Sequence, residues 1–294
     1  MSDVRARIGV IGGSGLYELD QLEVVAEVCP DTPYGRPSDA IVVGRVNGYS
    51  LAFLPRHGRG HRLLPSEVPA RANIAALKSL GVDRVVAFSA VGSLKEELPP
   101  LDFVIPSQMI DRTRSRPSSF FGEGVVGHVP FADPFSGVLS DILYDTARAE
   151  GLRVHRDETL VCMEGPAFST RAESHLYRAL GAGLINMSAL PEAKLAREAE
   201  MSYGLVCMVT DYDCWRETDE DVDIQMVLLN LNRNAANAKR LLAAAIEKVA
   251  AFEESPAIAE AARHAIITAR DRLSETALER MRFLYPGYFD GPAG

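Results

Sequence analysis

Short, continuously apolar segments alternate with helical patterns along most of the chain, and this alternation limits the folds that the chain can adopt. The segments predicted as strands are rich in β-branched residues; they are RIGVIG, AIVVGRV, LAFLP, RVVAFSA, DFVIPSQMI, TLVCMEG, LINMS and SYGLVCMVT. Several lack a polar face, which is typical of strands that are covered on both sides. Strands that alternate with helices predict an α/β fold with a mainly parallel sheet between two layers of helices.

The predicted helices are delimited by glycine, the residue that most often follows a helix C-terminus. Those that end just before a glycine span 71–80, 138–150 and 171–180. A long helical pattern then covers 222–252, and a second one covers 258 to about 283. No linker, repeat or low-complexity tract interrupts the chain, which predicts a single domain over 1–294 with a helical C-terminal extension at 251–294.

Composition excludes several classes of protein. No apolar run approaches the roughly 18 residues that cross a membrane, and MSDVRARIGV lacks the apolar segment of a secretory signal, so the expected location is the cytoplasm. Cys29, Cys162, Cys207 and Cys214 show no paired spacing, which indicates neither a disulfide framework nor a zinc site. A net charge of −9 without a block of basic residues argues against nucleic-acid binding and favours a small ligand.

Open α/β sheets bind ligands at the carboxyl ends of their strands, so the residues after each strand carry the functional information. The first strand leads into GGSG at 12–15. The dinucleotide fingerprint fails here because Glu18 stands where a small residue should pack, and no Lys-Ser/Thr pair follows. Backbone N–H groups with the Ser14 hydroxyl suit an anion, although a plain tight turn explains the glycines equally well.

Three further strand ends carry groups that bind anions. RHGRGH supplies Arg56, which can fork onto a phosphate, and His57, which can donate to one; a solvated basic loop is the alternative. A metal at His57 and His61 is disfavoured, since no HExxH pattern is present. Ser89 and Ser188 each follow an apolar strand. A lone serine there is usually a turn or cap residue, but the four strand ends together favour a bound anion.

Carboxylates follow another buried strand in VTDYDCW, which contains Asp211 and Asp213. Acidic pairs usually belong to solvated loops. Asp211, however, directly follows the apolar run LVCMV, where a raised pKa would let it act as a general acid. The segment MEGPAFSTRAES supplies Glu164 and Phe168, which are equally explained as a helix cap and a core aromatic residue.

The motifs, in their order and spacing, resemble those of the trimeric nucleoside phosphorylases, most closely the members that act on 5′-methylthioadenosine. They are IGGSGLY, PRHGRGH, SAVGSL, DRTRSRPSSF, EGPAFSTRAES, INMSALPE and TDYDCW, and the likeness covers about residues 8–250. This resemblance implies a single-domain nucleoside phosphorylase fold, a twisted mixed β-sheet flanked by helices. It also implies a homotrimer whose active sites are shared between neighbouring subunits.

The resemblance implies roles for individual positions. The phosphate site would consist of Ser14, Arg56, His57, Ser89, Ala90 and Ser188. The positions implied for catalysis are Asp211, Asp213, Ser169 and Ile224. Substrate would be bound by Met187 beside the ribose, by Phe168 and Ser169 at the purine edge, and by Asp211 and Asp213, which read the base. An apolar 5′ pocket would be lined by Ile224, Val227 and Leu228, with His128 and Leu284 reaching in from the neighbouring subunit.

The reaction implied is phosphorolysis, in which C1′ of the ribose passes from a purine nitrogen to inorganic phosphate. Phosphate supplies the nucleophile and offsets the positive charge of an oxocarbenium-like transition state. A protonated Asp211 would donate to N7 of the departing purine as a general acid. Phosphate is then a co-substrate, and neither a metal nor an organic cofactor is expected.

Three alternatives stay open from the sequence. A phosphorylase of 6-oxopurines would be expected to carry Asn in place of Asp211. A nucleosidase, which uses water, would have little use for the predicted anion site. A dinucleotide-dependent oxidoreductase or a non-catalytic nucleoside-binding protein is disfavoured by the failed fingerprint and by the set of catalytic residues. The apolar 5′ pocket leaves open whether the 5′ substituent is a thiomethyl group, a halogen or a methyl group.

Overall fold

The computed structural model describes residues 4–12, 22–216 and 224–289. Within these residues, eleven strands form one sheet. In chain order they are β1 (Ile8–Gly12), β2 (Glu23–Val28), β3 (Ile41–Val46), β4 (Tyr49–Pro55), β5 (Arg84–Ser93), β6 (Phe103–Ile105), β7 (Gln108–Arg112), β8 (Val154–Arg156), β9 (Thr159–Met163), β10 (Leu184–Asn186) and β11 (Ser202–Asp211).

Helices cover both faces of this sheet. They are α1 (Ala70–Ser79), α2 (Gly137–Ala149), α3 (Arg171–Ala179), α4 (Ala189–Glu198), α5 (Ile224–Ala251), α6 (Pro256–Ala259) and α7 (Glu275–Leu284). Residues of α1, α4 and α7 belong to the apolar core on one face, and residues of α2 and α5 belong to the core on the other. Successive side chains of β1 point to opposite faces of the sheet, so Ile8 and Val10 pack in the core with α2 and α5, and Ile11 packs in the core with α1, α4 and α7.

The strand β5 lies at the centre of the sheet. It pairs in parallel with β1 on one side and with β11 on the other, and β1 pairs in parallel with β4. The carboxyl ends of these four strands therefore meet at one edge of the sheet. The short strand β10 runs the opposite way, because it pairs antiparallel with β5 at Gly92 and Ser93. Because β10 has only three residues and begins opposite Ser93, the turn that follows it still lies beside the last residues of β5, with Ser188 next to Ser89.

The mixed β-sheet flanked by helices is confirmed, and so is the helical C-terminal region. Most pairs in the sheet are parallel, as the alternation predicts, but β2–β3, β3–β4, β5–β10 and β6–β11 pair antiparallel. The segment DFVIPSQMI divides into β6 and β7, because Pro106 between them has no N–H to donate to a ladder. The elements β2, β8 and α4 are absent from the sequence prediction.

The single helix expected over 258–283 is wrong. The chain there forms the short helix α6, a 3₁₀ turn at Arg270–Arg272 and then α7. Between α6 and the 3₁₀ turn, the backbone of Ile266 pairs with Gly127 in a distant loop, which a continuous helix would prevent. Ser274 then caps a new helix, because its side chain accepts a hydrogen bond from the first turn of α7.

Across the part of the chain that the structure describes, no helix is both long enough and apolar enough to span a bilayer.

Candidate active site

A cavity of about 430 Å³ opens where the carboxyl ends of the central strands meet. Its walls come from β5, the turn after β10, the end of β11 and the start of α5. The structure brings together in this cavity most of the residues predicted to bind substrates; those that line it are Arg56, His57, Ser89, Ala90, Phe168, Met187, Ser188, Asp211, Asp213, Ile224, Val227 and Leu228.

Two serine hydroxyls form one end of the cavity. The Ser89 Oγ and Ser188 Oγ atoms lie 2.8 Å apart, although the residues are far apart in the sequence. The side-chain amide of Asn186 donates to Ser89 Oγ at 3.0 Å. Asn186 Oδ1 has no hydrogen-bond partner in the described residues, although the residue is buried. This end of the cavity therefore concentrates polar hydrogens and one unsatisfied acceptor, an arrangement suited to a polar ligand.

The guanidinium of Arg56 is buried beside these serines and is held by Glu192. Arg56 Nε lies 3.0 Å from each carboxylate oxygen of Glu192, Arg56 Nη2 lies 2.9 Å from Oε1, and Nη1 donates to the Phe88 carbonyl at 2.9 Å. The fork that was expected to face a phosphate therefore binds a carboxylate. Glu192 is also 3.3 Å from the Tyr203 hydroxyl. These contacts set the orientation of Arg56 before any ligand arrives.

His57 lies next to Arg56 and is neutral. Burial first, and then the charge of Arg56, lower the pKa of His57 to about 4. Its Nδ1 is 2.9 Å from the Leu63 carbonyl oxygen, which can only accept, so Nδ1 carries the single ring hydrogen. The other nitrogen, Nε2, is then an acceptor. Donation from Nε2 to a phosphate, as predicted from the sequence, would require protonation of the ring. His61 stacks on it, with ring centroids 4.3 Å apart.

The opposite end of the cavity holds two buried carboxyl groups, Asp211 and Asp213. Burial raises the pKa of Asp211 to about 6, as predicted for a carboxyl group that follows an apolar strand. Thr210 Oγ1 donates to Asp211 Oδ2 at 2.7 Å, and the Asp213 N–H donates to Asp211 Oδ1 at 2.8 Å. Burial also raises the pKa of Asp213. Both carboxyl groups thus carry protons more readily than exposed ones.

Apolar side chains form the remaining wall and the rim of the cavity. Val227 and Leu228 come from the first turns of α5, and Phe168 lies just before α3. The start of α3 is fixed by a capping box in which the side chains of Thr170 and Glu173 each accept from the other's backbone N–H. Phe168 and Leu228 are 43% and 44% exposed, so the rim presents apolar surface to solvent.

Residues 7–247 match the family model described as phosphorylase superfamily. The chain belongs to the phosphorylase superfamily. The S-methyl-5′-thioadenosine phosphorylase of Neurospora crassa is 50% identical to this phosphorylase over 98% of the chain and 97% of the relative. The enzyme of the same name from Geobacter sulfurreducens is 50% identical over 96% and 98% of the two chains.

A solved structure agrees with these sequence relatives. The crystal structure of a methylthioadenosine phosphorylase from an Antarctic soil metagenomic library is 48% identical to this phosphorylase and superimposes with a TM-score of 0.91. The likeness covers 96% of this chain and 99% of that one. The similarity therefore includes the whole sheet and the elements that build the cavity.

A few predicted site residues lie elsewhere in the phosphorylase. Ser169 lies beside the cavity, where its carbonyl oxygen is 3.2 Å from Cys214 Sγ. The loop that carries His128 lies against the C-terminal region, with the His128 N–H donating to the Ala265 carbonyl at 2.9 Å. Leu284 is 1% exposed and packs in the core of its own chain, not on the surface. Ser14 lies outside the described residues.

Sequence reasoning assigned no role to four residues of the site, namely Gly92, Asn186, Glu192 and Thr210. Asn186 and Glu192 belong to INMSALPE, so the motif contained them, but nothing local indicates that Glu192 would face Arg56. Thr210 precedes Asp211 in an apolar strand, and none of the neighbouring residues indicates that its hydroxyl binds Asp211. Their roles depend on contacts between distant segments.

Gly92 has no side chain, and the carboxyl group of Asp211 packs closely against the position that a Cβ atom would take. A Cβ atom at this position would lie 2.9 Å from Asp211 Oδ1 and 3.1 Å from Ile185 Cγ2. Because Asp211 is held by two hydrogen bonds, Gly92→Ala is expected to push its carboxyl group out of place and to lower kcat/KM for the nucleoside by about 10-fold or more. Steady-state kinetics on the purified variant measure this effect.

Gly204→Ala provides the control for overpacking. A Cβ at Gly204 would lie 2.8 Å from Leu139 Cγ in the core between β11 and α2, and Gly204 does not line the cavity. We expect this variant to lose a similar amount of stability, about 1 to 3 kcal/mol, with unchanged kinetics. Equal kinetic losses in both variants would mean that Gly92 has no specific effect on the site.

Proposed function

We propose that this phosphorylase cleaves the N-glycosidic bond of 5′-methylthioadenosine with inorganic phosphate, releasing adenine and 5-methylthioribose 1-phosphate. The observation that carries this proposal is the pairing, in one cavity, of the Ser89, Ser188 and Arg56 cluster with a buried carboxyl group, Asp211, whose pKa is about 6. The names of the relatives agree with it. The enzyme is accordingly a pentosyltransferase.

At the serine end, phosphate is bound by the hydroxyls of Ser89 and Ser188 and lies within the field of Arg56. We include Ser14 and the backbone of Ala90 as further donors. A phosphate oxygen forms a bond to C1′ as the bond from C1′ to N9 breaks, and the electron pair of that bond leaves with the base. The dianion also offsets the positive charge that develops on the ribose ring. His57, through Nε2, accepts a hydrogen bond from a substrate hydroxyl or from a protonated phosphate oxygen.

At the carboxyl end, Asp211 in its protonated form donates to N7 of the departing adenine. This hydrogen bond strengthens as negative charge grows on the base, so it stabilises the transition state more than the ground state. Asp213 accepts a hydrogen bond from the 6-amino group. Phe168 and Ser169 border the base, and Met187 borders the ribose.

The 5′ substituent lies against the apolar wall of Ile224, Val227 and Leu228. A thiomethyl group buried there gains apolar contacts that a 5′-hydroxyl group does not. Each methylene or sulfur contact of this kind discriminates by only about 1 to 3 kcal/mol, so adenosine itself is expected to be a weaker substrate rather than an inert one.

Phosphate dependence tests the proposed function directly. We expect free adenine, measured by liquid chromatography, when the enzyme and 5′-methylthioadenosine are mixed with phosphate, and none without it. A chelator should leave the rate unchanged, because the proposed mechanism uses phosphate and groups of the chain only. Adenine released at full rate in phosphate-free buffer would identify a nucleosidase, and a preference for inosine over adenosine would identify a 6-oxopurine phosphorylase.

We also propose that the active enzyme is a homotrimer in which a neighbouring subunit closes the rim. The exposed apolar side chains at the rim support this proposal, as Ile224 is 54% exposed and Phe168 is 43% exposed. The family resemblance supports His128 as a residue that reaches into the neighbour's cavity. We expect a trimer in analytical ultracentrifugation, and a fully active monomer would contradict it.

A mixing experiment separates a shared site from a merely stable trimer. His128→Ala and Asp211→Asn are each expected to lower activity. When both variants are co-expressed, some sites of the mixed trimers combine the native Asp211 of one subunit with the native His128 of its neighbour. Activity of the mixture should then exceed the average of the two variants measured alone. An activity equal to that average would show that His128 acts within its own subunit or not at all.

The cytoplasm is the location we propose, since the cysteine spacing indicates no disulfide framework.

A further inference from the structure

The motif DRTRSRPSSF has no role in the proposed mechanism, yet it contains Arg116, which is buried beside the cavity. Arg116 donates four hydrogen bonds, all to backbone carbonyls. Nη1 donates to Met187 at 2.6 Å and to Leu190 at 2.7 Å, and Nη2 donates to Met163 at 3.1 Å and to Glu164 at 2.5 Å. One side chain therefore binds two separate segments of the chain.

These two segments are the extensions of neighbouring strands. The strands β9 and β10 pair in parallel, and the last pair of their ladder is Cys162 with Asn186. Met163 follows Cys162 and Met187 follows Asn186, and both methionines line the cavity. Beyond the ladder, no strand pairing is described between the two segments, and the guanidinium of Arg116 joins their carbonyls instead. Arg116 is thus one of the contacts that set the separation of the two walls, together with the contact between Cys162 Sγ and the Leu190 backbone N–H at 3.4 Å.

The walls joined by Arg116 belong to different parts of the proposed site. Met187 and Ser188 belong to the side that the proposed mechanism assigns to the sugar and the phosphate. Met163 lies beside Ser169, whose Oγ is 3.7 Å from Met163 Sδ, on the side assigned to the base. A planar guanidinium with donors in fixed directions can hold both segments at once. A lysine ammonium is a compact charge with three donors and cannot reach four carbonyls on two segments.

Arg116 also adds positive charge below the phosphate site. It lines a small cavity together with Arg56, His57 and Ser188. Arg56 has a carboxylate partner, Glu192, within hydrogen-bond distance. Arg116 Nε lies 3.5 Å from Glu164 Oε2, and Nε makes no hydrogen bond within the described residues. The charge of Arg116 is therefore less fully compensated than that of Arg56.

We propose that Arg116 is a positioning residue of the phosphorolysis reaction: it sets the distance between the Met163–Glu164 wall and the Met187–Leu190 wall, and so aligns the base, the ribose and the phosphate. This inference rests on the proposed function. Since alignment of the two reactants is what the residue supplies, its loss lowers kcat and raises the KM for phosphate, while adenine release remains dependent on phosphate.

The test compares Arg116→Lys and Arg116→Met with a matched variant of another buried arginine. Arg84 Nη1 donates to three backbone carbonyls, those of Val249, Ala250 and Phe252, at the end of α5 and far along the strand from the cavity. Arg84→Met therefore removes a similar buried network without touching the site. For each protein, kcat, the KM for phosphate, the KM for 5′-methylthioadenosine and the thermal unfolding midpoint are measured.

We expect both Arg116 variants to lose about 10- to 100-fold in kcat/KM for 5′-methylthioadenosine and to show a raised KM for phosphate. Arg84→Met should stay within about twofold of the wild type in every kinetic constant, even though its unfolding midpoint falls, because its contacts lie away from the site. A wild-type protein without phosphate-dependent adenine release would overturn the proposed function instead of this inference.

Two results would overturn the inference while the proposed function stands. One is a folded Arg116→Lys or Arg116→Met enzyme with the kinetic constants of the wild type, or with losses no larger than those of Arg84→Met. The other is failure of both Arg116 variants to fold while Arg84→Met folds, which would make Arg116 a residue required for the fold and not for alignment of the substrates.

Discussion

Asp211→Asn is expected to lower kcat for 5′-methylthioadenosine by about 100- to 10,000-fold, the range that a general acid contributes. The amide has no acidic proton to give to N7 of adenine. It can, however, donate a hydrogen bond to O6 of a 6-oxopurine, which an ionised carboxylate cannot. The preference for the adenine nucleoside over the corresponding inosine should therefore narrow, and kcat/KM for both substrates in both proteins measures it.

The pH profile tests the same role by a separate measurement. Burial raises the pKa of Asp211 to about 6, so the protonated form that acts as the acid predominates below that pH and declines above it. The expected result is a kcat/KM that falls as the pH rises above about 6. This alkaline limb should be absent in Asp211→Asn, because the amide that replaces the carboxyl group does not titrate.

Thr210→Val is the matched variant for this profile. The hydrogen bond from Thr210 Oγ1 to Asp211 Oδ2, 2.7 Å long, favours the charged carboxylate and so lowers the pKa of Asp211. Its removal should raise that pKa and move the alkaline limb to higher pH. If the limb neither moves in Thr210→Val nor disappears in Asp211→Asn, then Asp211 is not the acid of the reaction.

Arg56→Met is expected to lower the free energy of unfolding by about 3 to 5 kcal/mol, because it leaves the carboxylate of Glu192 buried without its partner. Both side chains are almost completely inaccessible, at 2% and 1% exposure. The variant also removes the positive charge beside the two serines, so the KM for phosphate should rise by about 10- to 100-fold. This fold change corresponds to the free energy of a hydrogen bond to a charged group. Chemical denaturation and phosphate titrations measure the two effects.

The double variant Arg56→Met, Glu192→Leu separates stability from phosphate binding. No unpaired charge then stays buried, so the free energy of unfolding should return close to the wild-type value. The KM for phosphate should remain as high as in Arg56→Met. If the double variant regains phosphate affinity together with stability, then Arg56 acts only through the fold.

Much of the fold could be predicted because local patterns determine it. The helices 71–80, 138–150 and 171–180 agree with α1, α2 and α3 to within one residue at each end, since the glycines that follow them are local signals. The C-terminal region could not be predicted in the same way. Its helical pattern is overridden by the backbone pairing of Ile266 with Gly127, a contact between residues far apart in the chain.

By itself, the sequence determined the alternation of strands and helices and the positions of the strand ends, because apolar periodicity and glycine placement depend on neighbouring residues. Through the resemblance of its motifs to a known family, it also pointed to about half of the residues that line the cavity. Only the tertiary structure decided that the Arg56 fork binds Glu192, which is 136 positions away, that the His57 ring is neutral, and that Arg116 joins the ends of two strands. The physical reason is that burial, ion pairing and hydrogen bonding between segments arise only when folding brings those segments together.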